Sequence, residues 1–489
     1  MRIIRALAFL VSAAVPTTAL VSPVEQQVLT SDALIYEHVS HPVFPQYALR
    51  LKNPTLCDDS VKQYSGYLDI GQEKHLFFWF FESRSSPSTD PLVMWLSGGP
   101  GCSSSAGLLF ELGPCQIARN AEEGTIFTES NKYSWNEAAN VIFLDQPASV
   151  GYSYYSSNKT TPVMNTPAAA QDVYVFLQLF VRRFGEYASH PFHLAAESYG
   201  GHYAPHIASI VHRKNKELVQ APSSDLRPIN LHSVMLGNSL TDPHIQMPSV
   251  VDYACDGPFA IFHPDSKPCR TIRSRAPVCE RMIKACYALD TQATCTPATL
   301  YCWSALFSPL AEAKRNIYDV RMPCDQAENP LCYEEIPWVE DYMNRPDVRR
   351  ALGADPSAPE FVACNNKTNI LFMLQGDGMR DSASLLTPLV DEGVRLLVYV
   401  GNTDMLCNYM GVQRWVTNLP STHKDAFGAA PLLPWYVSDR QAGVVQSAGR
   451  GAGNITYLNV FEAGHMVPHD QPEAALDMLT RWIHNVPFA

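Results

Sequence analysis

The sequence predicts an α/β fold with a mostly parallel central sheet, and three observations carry that expectation. Short apolar runs closed by glycine, proline or aspartate alternate with stretches of helical periodicity from about residue 64 to 240. The same rhythm resumes after Asn344-Arg345-Pro346, and the interval between is rich in proline and cysteine with little periodicity of its own. Leu92–Leu96 is the first informative strand, opened by Asp90-Pro91 and stopped by Gly98-Gly99. Asn140–Leu144 is a second, stopped by Asp145-Gln146-Pro147. Val173, Phe176, Leu177 and Phe180 place one apolar face on a helix between Thr166 and Phe184, and Phe192–Ala196 returns to a strand. Arg395–Val400 and Ile455–Val460 are the strands of the later part.

These elements divide the chain into a first core part at 42–240, a cysteine-rich insertion at 241–340 and a second core part at 341–489. Ahead of them, Arg2 and Arg5, the apolar run Ala6–Val15 and the small residues Thr17-Thr18-Ala19 have the layout of a signal peptide at 1–19. The run is too short for a bilayer that takes roughly 20 apolar residues, and no later stretch reads as a membrane anchor. Residues 20–41 fit either a propeptide or an N-terminal arm. Hydrophobic residues make up 46% of the 489 and charged residues 17%, which excludes a disordered chain. A net charge of −12 excludes a surface built to neutralise phosphates, so nucleic acid is not an expected partner. The 13 cysteines and the sequons at Asn158, Asn366 and Asn454 point to glycosylation on a secretory route. Cys255, Cys269, Cys279, Cys286, Cys295 and Cys302 crowd together without Cys-x-x-Cys pairs, so disulfides are favoured over zinc, and the odd total leaves one thiol over.

Chemistry enters at Phe192–Gly201, a strand followed by a tight turn on Ser198 and a helix beginning near His202. A nucleophile elbow needs this layout, because small neighbours let the backbone turn sharply and lift the hydroxyl to a helix N-terminus. Ala196 stands where a glycine is usual, and the plain alternative is that Ser198 caps the helix. A serine needs a base, and Asp404 and His465 each follow a strand end downstream. The order Ser198, Asp404, His465 is that of α/β-hydrolases. The N–H groups of Tyr199 and Gly99 suit an oxyanion hole, Gly99 lying in the glycine-rich loop Ser97–Ser104. His202 and His206 have the spacing of helical zinc ligands, but the metalloprotease glutamate is missing and Pro205 is expected to interrupt the turn, so no metal or cofactor is expected.

Ser-Gly-Gly-Pro-Gly-Cys-Ser-Ser at 97–104, Glu-Leu-Gly-Pro at 111–114, Asp-Gln-Pro at 145–147, Glu-Ser-Tyr-Gly-Gly at 197–201, Asp404 with Cys407-Asn408, and Gly-His-Met-Val-Pro at 464–468 together resemble the secreted and vacuolar serine carboxypeptidases. The resemblance implies an α/β-hydrolase fold and release of single C-terminal residues from peptides and proteins through an acyl-enzyme at acidic pH. It implies Ser198 as nucleophile, His465 as base and Asp404 as its orienter. It further implies a substrate-binding set of Ser97, Gly98, Glu111 and Glu197, with Ser97 where the family has asparagine, and Trp95 lining the pocket. The cysteine spacing resembles the family's too, which implies Cys255–Cys269, Cys279–Cys302, Cys286–Cys295, Cys324–Cys332 and Cys102–Cys364; Cys57 and Cys115 are available for a sixth, which leaves Cys407 as the free thiol that the resemblance places near the leaving-residue pocket. Two rivals stay open: an acyltransferase of the same fold, against which Glu111 and Glu197 weigh, and a catalytically inactive binding homologue, against which the intact triad weighs. A secreted or a vacuole-like location fits equally.

Overall fold

The computed structural model describes residues 36–324 and 331–489, so the expected signal peptide and the segment up to residue 35 lie outside the described residues. In chain order the strands are β1 (Glu37–Ser40), β2 (Tyr47–Lys52), β3 (Gln63–Ile70), β4 (Lys74–Phe81), β5 (Leu92–Leu96), β6 (Cys115–Arg119), β7 (Ile126–Ser130), β8 (Asn140–Leu144), β9 (Tyr154–Tyr155), β10 (Phe192–Glu197), β11 (Leu231–Gly237), β12 (Arg395–Gly401), β13 (Leu433–Val437), β14 (Arg440–Ala448) and β15 (Ile455–Val460). All but the β6–β7 hairpin join one sheet in the order β1-β2-β3-β4-β8-β5-β10-β11-β12-β15-β14-β13, with β9 beside β4. The centre, from β8 through β15, is parallel, and both flanks are antiparallel.

Parallel strands are covered on both faces, which is why these runs are apolar without alternation. In β5, Leu92, Met94 and Leu96 enter one core cluster, while Val93 and Trp95 enter the other. The first cluster lies under the helices Thr166–Arg183 and Gly200–Gln220. Asn165 caps the former by accepting from the Ala168 N–H, and Arg182 and Arg183 complement the dipole in its last turn. On the opposite face the helix Pro472–Ile483 closes the second cluster with Met478, Leu479 and Trp482.

Three expectations change. The sheet begins before residue 42, because β1 pairs antiparallel with β2 from Glu37 to Ser40. The stretch after residue 241 is helical, with helices Pro243–Cys255, Lys267–Leu289 and Gln292–Cys302 running through Pro248, Pro277 and Pro297. Its periodicity was hidden because cysteines are part of it: Cys269, Ile272, Ala276, Cys279, Ile283 and Cys286 form the buried stripe of the longest helix and belong to a third core cluster. Pro205 likewise lies inside an unbroken helix that begins at Gly200, two residues earlier than expected. The five disulfides implied by the resemblance are present, the available Cys57 and Cys115 form the sixth, and Cys407 is the free thiol.

Trp482 joins the last helix to the sheet. Its ring is fully buried, its Nε1–H donates to Ser233 Oγ at 2.9 Å, and the Arg395 guanidinium lies 3.8 Å over the ring while donating to its carbonyl. Trp482→Ala should destabilise the fold by about 3–5 kcal/mol and lower the thermal midpoint; an unchanged midpoint in a thermal scan would refute this anchoring.

Candidate active site

The parallel strands deliver their carboxyl ends to one cleft. β10 ends at Glu197, and Ser198 follows with φ 59°, a left-handed conformation that L-residues adopt at a cost. Backbone bonds hold the turn: the Ser198 N–H donates to Gly237 O, and the Ser198 carbonyl accepts from Gly201 and Leu240. A Cβ on Gly98 would come within 2.5 Å of Tyr199 N and 2.6 Å of Ser198 Cβ, so only glycine lets the loop after β5 approach the serine so closely. The Tyr199 hydroxyl donates to Asp377 at 2.6 Å, and Asp377 also accepts from the N–H and hydroxyl of Thr166. These bonds fix the peptide that carries the Tyr199 N–H.

Asp404 follows β12 and His465 follows β15, which are neighbours in the sheet. His465 Nδ1 lies 2.8 Å from Asp404 Oδ2, and both residues are buried. With Nδ1 on the carboxylate, Nε2 is the nitrogen left to accept a proton; it is buried with no hydrogen-bond partner among the described residues, in a cleft that Ser198 also lines. Asp404 is held in turn by Asn238 Nδ2–H at 2.8 Å and by the N–H groups of Leu406 and Cys407. Asn238 also receives the Gly401 N–H on its Oδ1 and spans to the carbonyl of Gly464, so one amide ties together the loops of the aspartate and the histidine.

Asp145, after β8, anchors the glycine-rich loop. It is fully buried and accepts from the hydroxyls of Ser103 and Ser105 and the N–H groups of Ser105 and Tyr152. Cys102–Cys364 fastens the same loop to the segment entering the helix Asn366–Leu374.

The cleft is lined by Ser97, Gly98 and Gly99, by Phe110 and Glu111, by Glu197, Ser198 and His465, and by Tyr318, Leu331, Ile336 and Leu406. Glu111 and Glu197 sit against each other, both buried, each with one oxygen that has no hydrogen-bond partner among the described residues. Burial raises both pKa values, and the neighbouring Glu111 charge raises that of Glu197 further, so the pair retains a proton well above the ordinary carboxylate range. Ser97 Oγ accepts from Trp95 Nε1–H at 3.2 Å. A more polar cavity behind Tyr199, bordered by His206, Tyr287, Asp377 and Arg380, holds none of the residues of the triad.

Two sequence expectations move. Trp95 does not line the cleft: its ring is fully enclosed against Trp135, and it reaches the site only through Ser97, because alternate β5 residues turn into the second core cluster. Cys407 is buried at 5% exposure while Leu406 meets the cleft, and its thiol lies within 4.8 Å of ligand atoms of Asp404 and His465. Burial first, then the negative charges of Asp404 and Glu197, raises its pKa well above the usual thiol value. His202 donates or accepts through Nδ1 to Ser382 Oγ at 2.6 Å, a structural bond on the core side of its helix. Sequence reasoning missed Asn238 and Asp377; the first carried a signal, since it follows the buried run of β11 directly, as Ser198 and Asp404 follow theirs.

A family model described as serine carboxypeptidase matches residues 54–485. Carboxypeptidase Y of Candida albicans is 42% identical over 451 residues, covering 91% of this chain and 78% of that protein. Carboxypeptidase Y of Komagataella phaffii is 41% identical over 458 residues, covering 92% and 82%. Among solved structures, the prohormone-processing carboxypeptidase Kex1(Δ)p from Saccharomyces cerevisiae superposes with a TM-score of 0.74 over 92% of this chain and 95% of its own, at 21% identity, which speaks for the fold.

Asn238→Ala removes the amide between the two loops and leaves Asp404 short of a buried donor. Turnover should fall by about 10- to 100-fold, the range typical of groups that orient a catalytic dyad. Steady-state kinetics on the folded variant checks this, and unchanged turnover would remove Asn238 from the site.

Proposed function

The chain belongs to the serine carboxypeptidase family and is a peptide hydrolase acting on C-termini; from that premise we propose that Ser198 is the nucleophile, His465 the base and Asp404 the group that orients it. Ser198 Oγ attacks the last peptide carbonyl and its proton passes to His465 Nε2, whose positive charge the 2.8 Å bond to Asp404 stabilises. The oxyanion is received by the N–H groups of Gly99 and Tyr199. Collapse of the tetrahedral intermediate expels the C-terminal amino acid, whose nitrogen takes the proton from His465. Water then enters by the same route in reverse and frees the shortened peptide from Ser198.

The observation that carries the exopeptidase reading is the buried Glu111–Glu197 pair on the wall of the cleft that holds Ser198. Glu197 is adjacent to the nucleophile in sequence, so the carboxylate reader stands one residue's length from the scissile carbonyl. A shared proton lets the pair donate a hydrogen bond to the substrate's terminal carboxylate, where two ionised side chains would repel it. Ser97, polarised by Trp95, contributes a hydroxyl, and Gly98 allows the close approach. Six disulfides and the exposed sequon residues Asn158 and Asn366 support maturation and glycosylation in an oxidising compartment, secreted or vacuole-like; Asn454 is half-buried.

Ser198→Ala should lower turnover by about four to six orders of magnitude with the fold intact; near-normal activity in the pure variant would overturn the assignment. The pH expectation follows from the sign of the shift. Raised carboxyl values mean that the proton is present at acidic pH and leaves as pH climbs through the raised value, so KM for a free-acid peptide should rise there while the corresponding peptide amide is spared. Glu197→Gln supplies a donor that does not titrate and should flatten the rise. KM–pH curves for acid and amide, in both proteins, check this; four parallel curves would show that the pair does not read the carboxylate.

A further inference from the structure

Four residues beyond the catalytic histidine, His469 occupies a place that the mechanism above does not use. It lies in the short helix Val467–Asp470, and its ring stacks on Phe110 with centroids 4.3 Å apart at 30°. Phe110 lines the cleft and immediately precedes Glu111. His469 Nδ1 lies 2.8 Å from Asp470 Oδ1, and Nε2 lies 3.9 Å from Glu335 Oε1 on the helix Glu335–Met343. Asp470 uses its other oxygen, Oδ2, to accept the Gly464 N–H at 2.6 Å, directly before His465. One imidazole therefore touches, through single contacts, the loop of the catalytic histidine, the segment of the carboxylate reader and the helix that closes the cleft.

We propose that His469 is a positioning residue that sets the working pH of the Glu111–Glu197 pair: as an imidazolium clamped by Asp470 and Glu335 and laid on Phe110, it holds a positive charge beside Glu111. The inference rests on the reading of that pair given above. Burial disfavours the imidazolium, but the hydrogen bond to Asp470 and the negative charges of Asp470 and Glu335 outweigh it and raise the His469 pKa to about 9. Glu335 responds reciprocally, its pKa lowered chiefly by its contact with His469. The cation is thus in place throughout the acidic range and is lost only as pH rises through the raised histidine value.

The direction of its effect follows from the charges facing the pair. Glu111 meets Glu197, His465, His469 and Asp470; Glu197 meets Glu111, Asp404 and Asp470. Tyr333, whose ring centroid is 5.7 Å from that of His469, and the buried Tyr399 and Cys407 complete the surroundings and stay neutral, all three raised by burial. Arg321 touches Asp470 Oδ2 at 3.6 Å but is paired chiefly with Asp319. Asp470 and Asp404 favour keeping the proton on the carboxyl pair. His469 opposes them and favours its release, so it limits how far into the neutral range the pair can hold a substrate's carboxylate. Without that cation the enzyme would bind C-termini at higher pH.

The test uses two substitutions at one position. His469→Phe keeps an aromatic ring against Phe110 and removes the charge; His469→Arg keeps the charge. KM is measured against pH for a free-acid peptide and its amide in wild type and both variants. In His469→Phe the rise of KM for the acid peptide should move to higher pH by about 0.5–1 unit, an opposite charge at this range being worth that order. In His469→Arg it should stay at the wild-type position. An unmoved rise in His469→Phe, with the acid–amide difference intact, overturns the proposal, as does a uniform loss of turnover on both substrates with no movement, which would make His469 a packing residue. Absence of any acid–amide difference in wild type would instead remove the reading of Glu111 and Glu197 on which the proposal rests.

Discussion

The site depends on one tight backbone encounter: the turn at Ser198 against the loop after β5. The positive φ of Ser198 lifts its side chain out of the sheet, and the loop can meet it only because Gly98 has no side chain. Gly201 plays the same part on the other side, where a Cβ would lie 2.4 Å from Leu240 O. Much of the surrounding structure stabilises this encounter. Asp145 grips the loop through two serines, Asp377 grips Tyr199, and Asn238 keeps the aspartate and histidine loops together. Each of these groups is buried, so each bond forms in a medium where leaving it unmade costs about 1–3 kcal/mol.

Around that turn the charges are sorted by environment. Asp404 is surrounded by donors, from Asn238, from two backbone N–H groups and from His465. Glu111 and Glu197 face each other away from water, and burial above all raises both carboxyls, so the pair retains a proton above the ordinary carboxylate range. Two carboxyl settings thus coexist beside one cleft, Asp404 against the His465 imidazole and Glu111 against Glu197. The difference arises from neighbouring donors, since all three side chains are buried.

Much of this was legible in the sequence. Strand runs such as Leu92–Leu96, Asn140–Leu144 and Ile455–Val460 coincide with the observed strands to the residue, because a strand covered on both faces must be apolar along its length. Ser198, Asp404 and His465 were visible as polar residues that end such runs. What stayed hidden was of two kinds. The helices after residue 241 carry their buried stripe partly in cysteines, and prolines within them read as breaks, although Pro248, Pro277 and Pro297 are accommodated inside the helices. Asp377 and His469 make their contacts between elements distant in the chain, which no local pattern records, whereas Asn238 at least ends a buried run. Trp95 shows the converse, since its position in β5 was readable but the face it turns to was settled only by packing.

The disulfides differ widely in reach. Those of the helical insertion close over 14, 23 and 9 residues, and Cys324–Cys332 over 8, whereas Cys102–Cys364 closes over 262. The entropy lost on bringing two chain segments together grows with the logarithm of their separation, so the short bridges are favoured while the chain is still open. Cys102 meets Cys364 once the sheet has brought the ends of β5 and the later core together. During oxidative maturation the insertion can therefore lock itself as a local unit, while the bridge beside the glycine-rich loop reports that the two halves of the core have found each other.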